Sequence, residues 1–219
     1  MADLLLIVAA GSGTRLGRAE PKALVPLAGR PVLSWTLASL VPAAFARTAV
    51  AAPPDRLEDF RRIAGAGVEI VAGGTTRSAS VRAGFSALAA EDGDVVAVHD
   101  AARPLVTSAE AAAVVAATRR SGAAIAAIPV VDTIKLVAEG RIVRTVDRSP
   151  LWAAATPQAF QAEILRRALS SGRDATDEAA LCEDLGIPVE VVPVSRLGFK
   201  ITTPADLELA EAILRTRKD

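Results

Sequence analysis

The chain has 219 residues, of which 51% are hydrophobic and 3% aromatic, and its 25 Lys and Arg balance 25 Asp and Glu. A chain of this size and apolar content can bury a large core, and one domain over residues 1–219 is the organisation we expect. The neutral charge argues against a general nucleic-acid or membrane-surface binder, which would carry a basic face.

The start of the chain and its cysteine content indicate a compartment. The first apolar run, residues 4–10, follows the acidic Asp3 and is shorter than the roughly 20 residues of a membrane span, so we expect neither a signal peptide nor an anchor. Cys182 is the only cysteine, which excludes an intrachain disulfide and fits a reducing compartment. We therefore expect a cytoplasmic protein.

Short apolar runs alternate with stretches of helical periodicity along most of the chain. The runs cover residues 4–10, 48–52, 68–72, 95–99 and 123–130. The helical stretches cover residues 32–40, 56–64, 80–90 and 109–120. Continuous apolar runs are typical of parallel strands buried on both faces, and this alternation predicts βαβ units. The predicted fold class is α/β: a single Rossmann-like domain with a mostly parallel, twisted sheet flanked by helices.

Helix-start signals and one late strand complete the prediction. Thr107 and Glu110 have capping-box spacing, and so do Thr203 and Asp206, which precede a predicted terminal helix over residues 204–216. Thr176 stands before two acidic residues and would serve as an N-cap. Residues 198–202 read as a late strand.

One segment departs from the βαβ pattern. Residues 133–147 alternate apolar and polar side chains around Glu139-Gly140, which predicts a two-stranded hairpin. An isolated hairpin is marginal in water and must pack on something. We expect a protruding arm at about residues 132–152, and a second copy of the chain is a good candidate for its partner.

A glycine-rich segment, residues 11–17, follows the first strand. It is not the dinucleotide-binding fingerprint G-x-G-x-x-G, because its third glycine comes one residue later than that pattern requires. The predicted second strand also does not end in the acidic residue that the fingerprint requires. Nor is it a P-loop, because no Gly-Lys pair exists. Arg15 and Lys22 could converge here on a triphosphate, with glycine backbone N–H groups facing the anion. The alternative is a solvent-exposed loop with incidental charges.

The motifs along the chain resemble those of a known family. Residues 9–15 with Pro21-Lys22 resemble the signature of sugar-phosphate nucleotidyltransferases. Further segments narrow the resemblance to the 2-C-methyl-D-erythritol 4-phosphate cytidylyltransferases of the non-mevalonate isoprenoid pathway: Gly73-Gly74 with Arg77 and Ser80, residues 99–104, Asp132-Thr133, residues 145–148, residues 156–158, residues 176–178 and residues 200–202. Val8 and Ala23 depart from the usual Pro and Gln, at positions that supply no charge.

The resemblance implies an activity and a set of site residues. It implies transfer of CMP from CTP to methylerythritol phosphate, with Mg²⁺ as cofactor and a homodimer formed through the hairpin. The nucleotide-binding residues would be Ala9, Ala10, Gly11, Ser12, Gly13, Thr14, Gly73, Gly74 and Ser80. The catalytic cations would be Arg15, Lys22, Arg148 and Lys200, and Thr133 would join Arg148 and Lys200 at the acceptor. The alternatives are a simple strand–helix turn at Ser80, an exposed cation paired with Asp147 at Arg148, and a solvated strand-end charge at Lys200.

Asp100 is the candidate metal ligand. It ends the run of residues 95–99, and ligands bind at the carboxyl ends of strands in open α/β sheets. One carboxylate with substrate phosphates suits Mg²⁺. The alternatives are helix capping or a partner for Arg103, to which we assign a structural role. His99, the only histidine, is expected to be a hydrogen-bonded core residue.

The expected reaction needs positioning and charge more than acid–base chemistry. A phosphate oxygen of the acceptor would attack the α-phosphorus of CTP, and a phosphate monoester is already largely dianionic at neutral pH. A general base is then unnecessary, and cations would stabilise the transition state. A cytidylyltransferase for another polyol phosphate, such as ribitol 5-phosphate, and a non-catalytic nucleotide-binding regulator are the open alternatives.

Overall fold

The computed structural model describes residues 1–11, 20–40 and 45–216. Four of the predicted site residues, Ser12, Gly13, Thr14 and Arg15, therefore lie outside the described residues. The strands are β1 Asp3–Val8, β2 Pro26–Leu27, β3 Arg30–Pro31, β4 Arg47–Ala52, β5 Val68–Ala72, β6 Val95–Asp100, β7 Ala123–Pro129, β8 Ile134–Ala138, β9 Arg141–Val146, β10 Trp152–Gln161 and β11 Glu190–Pro193. The α-helices are α1 Val32–Leu40, α2 Leu57–Ala64, α3 Arg77–Leu88, α4 Ser108–Ser121, α5 Ala162–Leu169, α6 Glu178–Asp184 and α7 Pro204–Thr216.

Within the described ranges, seven strands form one sheet in the order β11-β7-β10-β6-β1-β4-β5. β1 pairs in parallel with β4 and β6, β4 with β5, and β7 with β11. β10 runs antiparallel between β6 and β7. The predicted α/β class with a mostly parallel sheet flanked by helices is confirmed.

The packing of the interior strand β1 explains why its sequence is apolar without a break. Leu5 and Ile7 point into one core, with side chains of α1, α2 and α4. Leu4 and Leu6 point into the other, with side chains of α3, α5 and α6. All four leucine and isoleucine side chains are fully buried, and each contributes roughly 1.5–3 kcal/mol to folding. Helices on both faces therefore bury this interior strand of the sheet.

Two helix starts follow the sequence prediction and two do not. Thr107 and Glu110 form the expected capping box of α4, and Thr203 accepts a hydrogen bond from the backbone of Asp206 at the start of α7. α3 begins three residues before the predicted position 80, because Thr76 caps it. The predicted N-cap of α6 at Thr176 is wrong, since Asp177 accepts the capping hydrogen bond from Ala180.

The predicted late strand over residues 198–202 is wrong. Arg196–Gly198 form a 3₁₀ turn, and the extended residues after it lie against the turn that follows β6, where Ile201 N donates to Ala102 O at 2.8 Å. β11 takes the place at the sheet edge. Residues 156–158, which could have been a simple turn, lie within β10, and the Thr156–Pro157 bond is cis.

The hairpin is confirmed as β8 and β9, which pair antiparallel. Glu139 and Gly140 both have positive φ, 48° and 74°, as a two-residue hairpin turn requires. Val137, Ile142 and Val143 on these strands are 53%, 65% and 58% exposed. The hairpin is therefore an arm with an apolar surface. No helix in the described part of the chain is long and apolar enough to cross a membrane.

Candidate active site at the carboxyl ends of the strands

A cavity of about 500 Å³ opens at the carboxyl ends of β1 and β6, beside the start of α3. This is the edge of an α/β sheet where ligands bind. Among the described residues, the predicted site residues that line it are Ala9, Ala10, Gly11, Lys22, Gly74, Ser80, Asp100 and Lys200. The fold thus brings together side chains separated by almost 200 positions in the chain.

The turn between β5 and α3 is built around two glycines. An added Cβ at Gly73 would lie 2.6 Å from Ala10 Cβ, and one at Gly74 would lie 2.3 Å from Ala79 Cβ. Neither contact is sterically possible, so only glycine allows this close approach. Ser80 Oγ accepts a hydrogen bond from Gly74 N at 3.1 Å and donates to Thr76 O at 2.9 Å. The buried serine hydroxyl therefore holds the turn in shape.

Asp100 is surrounded by three cations. Its Oδ2 lies 2.8 Å from Lys200 Nζ and 3.7 Å from Arg103 Nε, and its Oδ1 lies 3.6 Å from Arg77 Nε. Burial by itself would raise the pKa of Asp100, but the charges of Lys200, Arg77 and Arg103 outweigh it and hold the pKa at about 2. The carboxylate is therefore ionised at any physiological pH.

Arg77 links this cluster to a second buried acid. Its Nη1 donates to Glu178 Oε1 at 2.6 Å, and Glu178 is fully buried at the start of α6. Burial raises the pKa of Glu178, although the positive charge of Arg77 opposes the shift. Arg77 thus connects a fully buried acid to the acid in the cavity wall.

His99 is a neutral core residue, as expected. Burial lowers the pKa of His99 to about 4. Its Nε2 donates to Arg103 O at 3.3 Å, because a carbonyl can only accept. Nδ1 is then the acceptor for the Thr156 hydroxyl at 3.1 Å, while Thr156 Oγ1 accepts from Asp100 N at 3.1 Å. This chain of hydrogen bonds fixes the backbone that carries Asp100.

Lys200 is positioned by contacts on both sides of it. Arg103 Nη1 donates to Gly198 O at 3.1 Å, and Lys22 Nζ donates to Ile201 O at 3.4 Å. Together with the backbone hydrogen bond of Ile201, these contacts hold the segment against the cavity. Arg103 thus bridges the Asp100 turn and the Lys200 segment, the structural role expected for it.

Thr133 and Arg148 do not lie in the cavity of their own chain. Thr133 is exposed just before β8, and Arg148 is exposed just after β9. Asp147, the neighbour that the alternative pairs with Arg148, accepts hydrogen bonds from Ser149 N and Oγ. One chain therefore supplies only part of the predicted acceptor site.

Sequence reasoning assigned no role to Arg77 or Glu178. Both stand inside motifs of the resemblance, but nothing in the sequence signals that α3 and α6 bring them together 101 positions apart. The only available signal was a glutamate followed by an apolar helix face.

Comparisons with known proteins identify the family of the chain. The family model described as IspD, 2-C-methyl-D-erythritol 4-phosphate cytidylyltransferase, matches residues 4–216. A curated relative of that name from Syntrophotalea carbinolica is 43% identical, and the match covers 100% of this chain and 99% of the relative. One from Microcystis aeruginosa is 44% identical, with 97% and 99% covered.

Solved structures show the same fold. The crystal structure of 2-C-methyl-D-erythritol 4-phosphate cytidylyltransferase from Thermus thermophilus superposes with a TM-score of 0.82 at 38% identity, covering 99% of this chain and 100% of that one. A crystal structure of 4-diphosphocytidyl-2C-methyl-D-erythritol synthase superposes with a TM-score of 0.85 at 35% identity, with 97% and 98% covered. The chain therefore belongs to the 2-C-methyl-D-erythritol 4-phosphate cytidylyltransferase family and is a cytidylyltransferase.

Proposed function

We propose that the chain transfers CMP from CTP to 2-C-methyl-D-erythritol 4-phosphate in the cavity around Asp100. The products are 4-diphosphocytidyl-2-C-methyl-D-erythritol and pyrophosphate, and the reaction would belong to the non-mevalonate isoprenoid pathway in the cytoplasm. The observation that carries the proposal is the buried, ionised Asp100 ringed by cations at the sheet edge. Such a cavity suits two polyanionic substrates that must be brought together.

The nucleotide would lie between the loop after β1 and the turn before α3. Gly74 and Ser80 form a closely packed turn there, and Ala9 and Ala10 complete the wall with small side chains. Small residues leave room for a base and ribose. Lys22 lines the same cavity and would contact the triphosphate, together with Arg15.

Mg²⁺ is the cofactor that we assign to the cavity, with Asp100 as its protein ligand. Mg²⁺ usually takes one or two carboxylates, keeps several waters and binds substrate phosphates. Asp100 fits this pattern, since it is ionised and lines the cavity. A zinc site would need several His, Cys or acidic ligands, and the described ranges hold no such group of three. Bound Mg²⁺ would supply charge stabilisation to the triphosphate oxygens.

The chemical step would rest on orientation and electrostatic stabilisation. An acceptor phosphate oxygen forms a new bond to the α-phosphorus of CTP, and the bond from that phosphorus to the bridging oxygen breaks, so that pyrophosphate leaves. The only histidine is neutral and hydrogen-bonded inside the core, which leaves it no part as a general base. Lys22 would stabilise the charge that develops on the α-phosphate and on the leaving group.

A second copy of the chain is the partner that we assign to the hairpin arm. Thr133 and Arg148 stand at the base of the arm, outside the cavity of their own chain. The exposed apolar side chains of the arm suit a homodimer in which each arm reaches its partner. Arg148 and Thr133 of one chain would then complete the acceptor site of the other, next to Lys200.

The experiment that tests the proposed function is pyrophosphate release from CTP in the presence of Mg²⁺. Methylerythritol phosphate and ribitol 5-phosphate are compared as acceptors at equal concentration. We expect turnover with methylerythritol phosphate and little with ribitol 5-phosphate. Turnover with ribitol 5-phosphate alone would keep the chemistry and overturn the acceptor. CTP binding without turnover on either acceptor would identify a regulator instead.

A further inference from the structure

Glu178 is a buried acid to which the proposed reaction assigns no direct role. It is fully buried, and its Oε2 has no hydrogen-bond partner among the described residues. Glutamate is almost never fully buried unless it is paired, and a buried ion pair is weak evidence for stability. Its close charged partner, Arg77, lines the cavity. The placement of Glu178 therefore calls for an explanation in terms of Arg77.

Arg77 lies between two carboxylates and contacts them unequally. Its Nη1 is 2.6 Å from Glu178 Oε1, a direct charged hydrogen bond, while its Nε is 3.6 Å from Asp100 Oδ1, beyond hydrogen-bond distance. A guanidinium readily binds a carboxylate through two parallel hydrogen bonds. Glu178 thus competes for a guanidinium that would otherwise bind Asp100 directly.

The sheet itself fixes the position of Glu178. Gln158 Oε1, buried on β10, accepts hydrogen bonds from the backbone N–H groups of Glu178 and Ala179, both at 3.2 Å. Gln158 Nε2 donates to Asp177, the N-cap of α6, at 2.9 Å. Gln158 pairs with Val98 on β6, the strand that ends at Asp100. The two acids are therefore held in a fixed relation by neighbouring strands.

We propose that Glu178 is a positioning residue that holds Arg77 away from a direct contact with Asp100, so that Asp100 keeps one oxygen available toward the cavity. The proposal rests on the proposed function, in that Asp100 and the cavity are taken as the active site. Without the negative charge of Glu178, the Arg77 guanidinium would move onto Asp100 and occupy that oxygen. Loss of an outer partner of this kind usually costs about 10-fold to 100-fold in metal affinity or activity.

The first test is Glu178→Gln, which keeps the shape of the side chain and removes its charge. We expect the Mg²⁺ concentration for half-maximal turnover to rise about 10-fold or more, with KM for the acceptor nearly unchanged. Calorimetric titration with CTP and Mg²⁺ should show weaker binding to the same extent. Glu178→Asp, which keeps the charge, should recover part of the loss. A purely structural role would move the melting temperature without this selective change.

The second test asks whether Glu178 acts through Arg77. In an Arg77→Met background, Glu178→Gln should cause no further change in the Mg²⁺ requirement, and the double variant should melt higher than Arg77→Met because no unpaired buried charge remains. This neutral pair also keeps the proposal testable if Glu178→Gln alone fails to fold. Additive effects of the two substitutions on the Mg²⁺ requirement would overturn the proposal.

Asp94→Asn is the matched control. Asp94 is also a buried acid next to β6, but it lies at the opposite end of the strand, where it accepts from Ala2 N at 2.7 Å. Its substitution should lower stability and leave the Mg²⁺ requirement unchanged. A folded Glu178→Gln enzyme with a wild-type Mg²⁺ requirement would overturn the positioning role. Absence of turnover in the wild-type enzyme would instead contradict the proposed function. The calorimetric titration would still show whether Glu178→Gln weakens the binding of CTP and Mg²⁺.

Discussion

Lys200 Nζ lies 2.8 Å from Asp100 Oδ2, so the cation assigned to the acceptor and the carboxylate assigned to the metal neutralise each other. A ligand on either group therefore competes with this contact for part of the charge. Lys200→Gln should therefore have two opposite effects, a higher KM for methylerythritol phosphate and a lower Mg²⁺ requirement. Steady-state kinetics with the two concentrations varied independently would measure both. A rise in both the KM for methylerythritol phosphate and the Mg²⁺ requirement would contradict competition between Lys200 and Mg²⁺ for Asp100.

Lys22 is expected to act on the transition state. It lines the cavity near the proposed triphosphate position and belongs to a segment whose contacts hold its backbone. Lys22→Ala should lower kcat by roughly 100-fold or more, the scale seen when one preorganised stabilising group is lost. Arg62→Ala, which removes an exposed cation of α2, is the control and should leave kcat unchanged. A near-normal kcat for Lys22→Ala would show that Lys22 does not stabilise the transition state.

The buried His99 gives the fold a defined pH dependence. Burial lowers the pKa of His99 from 6.5 to about 4, so the unfolded chain binds more protons between these values. Stability contributed by the neutral ring is therefore complete above about pH 6.5 and is lost as the pH falls toward 4. Thermal unfolding without divalent metal, measured across this range for wild type and His99→Gln, should show a shallower pH dependence in the variant. An unchanged slope would contradict the assignment.

The arm can be tested by placing a charge on its apolar surface. Ile142 is 65% exposed on β9, and Ile142→Asp should abolish the proposed dimer without unfolding the sheet. Sedimentation velocity would report the mass, and the KM for methylerythritol phosphate should rise because Arg148 no longer reaches the partner chain. Leu209→Asp on α7 is the control, since Leu209 is 53% exposed and lies outside the arm. A dimeric Ile142→Asp protein would contradict assembly through this surface.

The glycine turn before α3 makes a packing prediction. In Gly74→Ala, the new Cβ would approach Ala79 Cβ to 2.3 Å, so the turn or the helix must shift. We expect a loss of about 1–3 kcal/mol in the free energy of unfolding and a higher KM for CTP. The double variant Gly74→Ala with Ala79→Gly removes the colliding atom and should recover much of the CTP affinity. A double variant no better than Gly74→Ala would show that the clash is not the cause.

The parts of the fold that were predictable from sequence are those with a strong local pattern. The apolar runs of β1 and β6 identified buried strands, and Glu139-Gly140 identified the hairpin turn. The segment carrying Lys200 was misread because alternation alone cannot tell a paired strand from an extended stretch held by Ala102 and Arg103. That distinction depends on contacts made about 100 positions away.

The residues of the candidate site also fall into those that a local sequence pattern predicts and those that it does not. Asp100 could be placed from its position at the end of an apolar run, and Gly73-Gly74 from the motif they form. The Arg77–Glu178 pair could not be predicted, since its geometry is set by Gln158 on a strand that the sequence did not reveal. Charged side chains that pair over a long distance in sequence produce no periodic pattern from which the pair could be predicted.

The segment that joins β11 to α7 has a consequence for the synthesis of the protein. Lys200 follows Ala9 and Ala10 by almost 200 positions in the chain, yet all three residues line the same cavity. α7 then packs its Ala210 with Val25 and Leu27 near the amino terminus. A ribosome-bound chain can assemble much of the sheet during translation, but it cannot close the cavity until Lys200 has left the exit tunnel. A stalled chain that still holds Lys200 inside the exit tunnel should therefore lack catalytic activity.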